Sequence, residues 1–462
     1  MRFLAFPFLL LALLLGGNAD AQVRSGNAIT AAQRANLVNL RTALAAAQAS
    51  NPVTNAPMAS PPTITQSSTA DGSLTNVVNY ATNPSAYLIS GGNAYVQNSN
   101  GMLFIATDNF SPGTSGNIGA VVGSTTATTP NLLNLGENSN VSTVGFHTTA
   151  PVVQCQMAVS NANVPYRFIV NNQYVATAGL ITTSKFVEFN FGSSSPIDFT
   201  IELQFAQGFA GCAVANGYTI TAMAPTTPIA AIATGDSYCE AEIGFFPPTY
   251  MAMDGVFSTM SKLVGFSNYQ NACVGGTGYW NASGGNPGTR LDINGQMGYW
   301  PGSSNAPTAP LPNVVMFAGG YNDKGVVANS VTTANALADW QLARSMYPNA
   351  LIIVYGVWGG PTGPNAATTS LEAALAQQFY AWRDPFSMFI YVSNTSEGIP
   401  AGTTYPICGG TYFCGTGNTG ALAGNGNADF YIAPALHPND VGHLYMGGRA
   451  AADYVTQLAR FN

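Results

Sequence analysis

Gly235-Asp236-Ser237 closes an apolar run, Ile229 to Ala233, and a helix-compatible stretch follows. A serine set there can be a nucleophile, a helix N-cap or a turn residue, and the tripeptide alone does not separate these readings. Nucleophilic serine chemistry needs a base beside the hydroxyl and donors aimed at the developing oxyanion. Three other segments carry matching groups. "NACVGGTGYW" (271–280) has Gly275 and Gly276, which let backbone approach a substrate closely. "MFAGGYNDKG" (316–325) reads as a strand end that presents Asn322, whose amide is a donor. "ALHPNDVGHLYMGGRAA" places His437 directly before a helical pattern. The chain has three histidines; His147 lies in a β-rich region and His443 shares the last segment, so His437 is the candidate base. The nucleophile elbow G-x-S-x-G is absent from the sequence.

These segments resemble the conserved blocks of the SGNH or GDSL-type hydrolases. Gly235-Asp236-Ser237 matches the first block, Asn271 to Gly276 the second, Gly320-x-Asn322-Asp323 the third and His437-Pro438-Asn439 the fifth. The four occur in order over roughly residues 226 to 462, at spacings suited to a flavodoxin-like sheet. The resemblance implies that Ser237 is the nucleophile and His437 the base. It implies an oxyanion hole made by the Ser237 N–H, the Gly276 N–H and the Asn322 side chain. The family usually carries an aspartate three residues before the histidine, and Pro434 stands there. The orienting acid is therefore absent or supplied from elsewhere: a backbone carbonyl, or Asp429. Asp440 reads as a helix-start residue, with Asn439 as an N-cap.

The bland readings sit beside these. Asp236 and Asp323 are expected to hydrogen-bond locally and hold their loops. His443 is read as a helix surface or packing residue, and His147 as structural. Tyr279, Trp280, Trp300 and Trp358 are open between lining a sugar subsite and packing a core.

The elements that must position these groups change character along the chain. Residues 28–49 predict a helix: Thr30-Ala31-Ala32-Gln33 is a capping-box pattern, and Leu37, Leu40 and Leu44 recur at helical spacing. A Pro, Ser, Thr and Asn-rich stretch to about residue 75 reads as linker or surface loop. Between about 80 and 225, short segments such as "STVGFHTT", "VVQCQMAV", "YRFIVNNQYVA", "KFVEFNFG" and "IDFTIELQF" largely alternate apolar and polar residues, with Asn171-Asn172 as a hairpin turn. They predict an all-β sandwich or jelly roll. From 226 onward, continuous apolar strands ("PIAAIATG", "NVVMFAGG", "LIIVYGVWGG", "FSMFIYVSN") alternate with helical stretches such as 367–382. That pattern predicts a parallel sheet covered on both faces, with ligands at the carboxyl ends of its strands. The expected division is a signal peptide over 1–21, an N-terminal helix and linker over 22–79, a β-sandwich over 80–225 and a flavodoxin-like α/β domain over 226–462. The upstream β region resembles the jelly roll of secreted two-domain carbohydrate esterases.

Composition narrows the partners. Of 462 residues only 7% are charged, the formal net charge is -7, and three lysines occur, Lys185, Lys262 and Lys324. Nucleic acid as a partner is excluded on that balance, because phosphate contacts need clustered Lys and Arg. "MRFLAFPFLLLALLLGGNADAQ" reads as a signal peptide, with Arg2, an apolar stretch Phe3–Leu15 and an Ala19-Asp20-Ala21 cleavage site. A secreted or periplasmic chain with no integral membrane segment after cleavage is expected. Six cysteines then suggest disulfides, and sequence proximity favours Cys155 with Cys212, Cys239 with Cys273, and Cys408 with Cys414. No metal or organic cofactor is implied.

The function implied by the resemblance is an exported serine esterase acting on ester groups, foremost O-acetyl groups of a carbohydrate. The expected partner is an ester-bearing small molecule or an acetylated polysaccharide. An O-acetyltransferase using the same residues is the nearest alternative. A catalytically inactive carbohydrate-binding or envelope protein is a second, motivated by Pro434.

Overall fold

The computed structural model describes residues 28–91, 93–97, 102–106, 141–159, 165–204, 207–223, 228–240, 251–282, 292–298, 300, 311–359, 365–393, 437–438 and 440–461. The β-rich part is made of two antiparallel sheets. In the first, strands follow the order β1 (Thr63–Ser67), β10 (Phe186–Asn190), β7 (Val152–Met157), β12 (Phe209–Val214), β5 (Met102–Ala106) and β4 (Asn93–Gln97), and β2 (Asn76–Asn79) also pairs with β12. In the second the order is β13 (Ile220–Thr221), β6 (Val141–Thr148), β11 (Ile197–Gln204), β8 (Arg167–Val170) and β9 (Gln173–Tyr174), with β3 (Leu88–Ser90) on β6. Phe189 of the first sheet packs 4.7 Å from Phe168 and 4.9 Å from Phe199 of the second, so one aromatic core joins them. Cys155 and Cys212 face each other on β7 and β12 and are bonded. Asn171 and Asn172 both adopt positive φ, 48° and 61°, the backbone a tight hairpin needs and asparagine tolerates.

β8 breaks the alternating pattern by being buried on both faces. Phe168 and Val170 enter the sandwich core, whereas Arg167 pairs with Asp254 of the α/β domain.

That α/β domain is built on five parallel strands in the order β15 (Asn268–Asn271), β14 (Ala230–Gly235), β16 (Val314–Ala318), β17 (Leu351–Tyr355) and β18 (Ser387–Ile390). Successive side chains point to opposite faces. Ala231, Val314, Met316 and Ile353 pack with α1 (Ala31–Ala49), α3 (Val256–Val264) and α7 (Asp440–Leu458). Ile232, Val315, Phe317 and Val354 pack with α4 (Ile293–Met297), α5 (Asn329–Met346) and α6 (Ala366–Trp382). The result is the three-layer, flavodoxin-like order, in which the switch point falls between β14 and β16. A short α2 (Ser237–Glu240) follows β14 directly.

The capping box on α1 is present: the Gln33 N–H donates to Thr30 Oγ1 and the Thr30 N–H to Gln33 Oε1. α1 docks on the amino ends of the parallel strands, where Asn36 Nδ2 donates to the carbonyls of Asn313 and Asn349. Within the stretch read as linker, residues 63–67 and 76–79 are strands of the sandwich. β1 lies at a sheet edge with no fully buried residue, so it lacks the apolar alternation that would have marked it. The central β12, "FAGCAV", was also unmarked, because small residues buried on both faces give no period. Among the described residues no helix is long and apolar enough to cross a membrane.

Candidate active site

Three loops gather at the carboxyl ends of β14, β15 and β16. β14 ends in Gly235, where a Cβ would lie 2.2 Å from the Ala318 carbonyl oxygen of β16, so only glycine lets these strand ends close up. Ser237 opens α2 and is buried. Its hydroxyl lies 2.7 Å from His437 Nε2, although the two are 200 positions apart. The first N–H groups of a helix have no intrahelical acceptor, so the Ser237 amide donor is unspent by α2.

The second loop, after β15, is stitched to the first. Cys273 is bonded to Cys239. Asn271 Nδ2 donates to the Cys239 carbonyl at 3.2 Å, and the Val274 N–H to the Gly235 carbonyl at 2.9 Å. Gly276 follows with φ 76°, a left-handed conformation that favours glycine. On the third loop, Asn322 Nδ2 donates to the Thr277 carbonyl at 2.9 Å. That bond fixes the amide plane and leaves the second Nδ2 proton as a donor of known direction. The three expected oxyanion residues thus lie on three loops held to one another.

Two buried carboxylates complete the stitching. Asp236 accepts from the Tyr238 N–H (3.1 Å) within its own loop and from the Tyr321 N–H (3.3 Å) of the third loop. Burial pushes it up to about 7, against the pull of those two N–H groups and of the Lys324 charge. Asp323 accepts from the N–H groups of Tyr279 (2.8 Å), Trp280 (3.2 Å) and Asn281 (2.9 Å) on the second loop. Burial raises it as well, with the same three N–H groups opposing. Both aspartates were expected to act locally; Asp323 instead acts across loops, and Asp236 does both. Lys324 Nζ donates to the Tyr321 carbonyl at 2.8 Å, and burial lowers its pKa to about 8.

His437 sits edge-on to Tyr238, with ring centroids 5.5 Å apart. Tyr238 stacks on Trp358 at 5.9 Å and donates its hydroxyl to the Gly359 carbonyl at 2.6 Å. The His437 ring therefore rests on an aromatic wall fixed by the Tyr238 hydroxyl bond and the Trp358 stack. Tyr238, Tyr321 and Thr277 were not singled out from the sequence. The one local signal was their adjacency to Ser237, Asn322 and Gly276.

Other expectations resolve individually. Asp440 opens α7, and its Oδ1 accepts from the Met251 N–H at 3.4 Å. Burial, with the Asp254 charge adding, pushes it up to about 7. His443 is buried within α7, a packing position. His147 pairs with Asp198 at 2.8 Å on the sandwich surface. Tyr279, Trp300 and Trp358 are fully buried in the core, whereas Trp280, on the second loop, is exposed. Pro434, Asp429, Asn439, Cys408 and Cys414 lie outside the described residues.

No protein-family model matches the chain, and a sequence comparison with curated proteins finds no match. Solved structures do match. A family two carbohydrate esterase from Cellvibrio japonicus aligns with a TM-score of 0.51 at 13% identity, over 84% of this chain and 98% of that one. A salicylyl-acyltransferase from a tetracycline biosynthetic pathway aligns with a TM-score of 0.50 at 13% identity, over 80% of this chain and 96% of that one. At these identities the likeness establishes the fold alone: a parallel-sheet α/β domain joined to a β-rich domain.

Proposed function

We propose that this protein is an exported serine esterase that removes ester groups, foremost O-acetyl groups, from a carbohydrate. The observation that carries the reading is the 2.7 Å contact between Ser237 Oγ and His437 Nε2 at the strand ends where parallel sheets bind ligands. His437 Nε2 takes the hydroxyl proton as Ser237 Oγ attacks the ester carbonyl carbon. The carbonyl electrons move onto oxygen, which the Ser237 and Gly276 N–H groups and the Asn322 amide receive. Collapse expels the alcohol, which takes the proton from His437 and leaves an acyl-serine. Water, deprotonated by the same histidine, then releases the acid and restores the serine. The carbohydrate assignment draws support from the esterase neighbour, and export from the N-terminal Arg2 and Phe3–Leu15 pattern.

A second reading has the acyl-serine transferred to a hydroxyl acceptor instead of water. The acyltransferase among the structural matches favours keeping it. Fluorophosphonate labelling tests the shared chemistry: Ser237 should carry the label, and label elsewhere or none sinks both readings. Acetate release measured with and without an added polysaccharide acceptor then separates hydrolysis from transfer.

A further inference from the structure

Beyond the three loops of the site, the chain leaves the sheet twice more, after β17 and after β18, and one buried side chain ties these two exits together. Glu372, on α6, is wholly buried. Its Oε2 accepts from the Val357 N–H at 3.0 Å, just past β17. The same oxygen accepts from the N–H groups of Val392 (2.9 Å) and Ser393 (2.8 Å), just past β18. The Ser393 hydroxyl donates to the Val357 carbonyl, so residue 357 is held through both its N–H and its C=O. Gly356 makes room for the carboxyl group: a Cβ there would lie 1.8 Å from Glu372 Oε2. Buried backbone N–H groups need acceptors, and capping two strand ends would account for Glu372 if the residues it holds led nowhere.

They lead to both halves of the site. Val357 lies against Gly320, where the third loop begins with φ 113°; a Cβ on Gly320 would sit 3.1 Å from Val357 Cγ2. Trp358 stacks on Tyr238, and the Gly359 carbonyl receives the Tyr238 hydroxyl. Tyr238 in turn meets the His437 ring edge-on. Residues 357–359 are therefore a strip anchored by Glu372 that touches the Asn322 loop on one side and the support of His437 on the other.

We propose that Glu372 is a positioning residue for the reaction read at Ser237. By fixing residues 357–359 it sets the His437 ring against Ser237 Oγ and the third loop against the expected oxyanion position. The inference rests on that reading of Ser237 and His437. Its leverage comes from geometry: a displacement of about 1 Å caused far from the chemistry can cost about 10² in rate.

Turnover of p-nitrophenyl acetate per folded molecule tests it, on wild type, Ser237→Ala, Glu372→Gln, Ser393→Ala, Tyr238→Phe and the double variant of Glu372→Gln with Tyr238→Phe. Glutamine keeps the shape but is a neutral acceptor, and charge-assisted hydrogen bonds are about twice as strong. Glu372→Gln should lower kcat by roughly 10–10² with KM little changed. Tyr238→Phe, which frees the strip from the His437 support, should lower kcat as well. The double variant should lose little more than the worse single one, because both release the same strip. Ser393→Ala removes only the tie on the Val357 carbonyl and should show a smaller fall; its double variant with Tyr238→Phe reads the same coupling if Glu372→Gln does not fold. A wild-type kcat in Glu372→Gln, or losses that multiply in the double variant, would make Glu372 a cap of strand ends and overturn the inference alone. A wild type without turnover, or a Ser237→Ala variant that keeps it, would overturn the reading of the site and the inference with it.

Discussion

The loop cluster around Ser237 and the contact between the two domains both bury carboxylates, and they accommodate them in opposite ways. In the loops, Asp236 and Asp323 are met by backbone N–H groups, and burial still wins: Asp236 is pushed up to about 7 and Asp323 is raised. At the domain contact burial pushes Glu202 upward too, but the Arg167 and Lys262 charges outweigh it and hold it below the usual range. Backbone dipoles satisfy hydrogen-bond geometry without replacing the hydration of a full charge; a paired cation does more of that. The site loops are therefore cross-linked by carboxylates that burial raises, Asp236 to about 7, while at the domain contact paired cations hold Glu202 below its usual range.

The separation predicts that chemistry fails in one region and stability in the other. Ser237→Ala should lower kcat for p-nitrophenyl acetate by about a millionfold with an unchanged melting curve. Residual activity above a few per cent in pure folded protein would remove Ser237 from the mechanism. Asn322→Ala should lower kcat by about 10²–10³, the usual loss of one oxyanion donor; an effect on KM alone would mean the amide only binds substrate.

Arg167→Met leaves two buried carboxylates facing Lys262 alone. Breaking a buried pair in this way costs about 3–5 kcal/mol, which urea unfolding would measure. Turnover per folded molecule should stay within about tenfold, a shift of ~1.4 kcal/mol in barrier. A folded but inactive variant would break the comparison, because the domain contact would then be part of the site.

The two bridges sharpen it. Cys155–Cys212 spans 57 residues and Cys239–Cys273 spans 34. Removing either pair as serines should cost about 2–4 kcal/mol, since chain entropy varies slowly with span. Loss of Cys239–Cys273 alone should also lower kcat, because it joins the Ser237 loop to the loop that carries Gly276. Equal kcat in both variants would assign both bridges to stability only.

The smallest effect is in pH. A carboxylate raised from 3.8 to about 7 favours folding while the native state holds its proton, so its contribution is full below about pH 4 and is lost as pH rises through 7. Asp440, also raised to about 7, and Asp339, raised to about 8, act in the same direction. Glu202 acts oppositely, losing its contribution as pH falls below the 4.5 of a free glutamate. Asp236→Asn should flatten the fall in melting temperature between about pH 5 and 7. An unchanged slope would show that Asp236 is not among the groups that titrate there.

Much of this was legible in the chain because it depends on neighbours in sequence. Thr30 and Gln33 announce the capping box at three-residue spacing, and the box is there. "LIIVY" reads as a strand covered on both faces and is one. Asn171-Asn172 reads as a turn and takes the left-handed backbone that turn requires. β1 and β12 were not legible, since an edge strand with no buried residue and a central strand of small residues both lack a period of two.

Sequence by itself determined which groups stand at the ends of β14, β15 and β16, because each is set by a strand and the turn that stops it. It also paired Cys239 with Cys273 by nearness along the chain. Only the tertiary structure decided that Ser237 and His437 meet, 200 residues apart, and that Asp323 serves the loop at 279–281 rather than its own. It alone joined Arg167 to Asp254 across 87 residues and enclosed the hydroxyls of Ser258, Ser261 and Tyr269. The reason is range. A hydrogen bond or ion pair acts within about 3 Å of its partner, and which distant groups come that close is set by how layers pack, which no local pattern records.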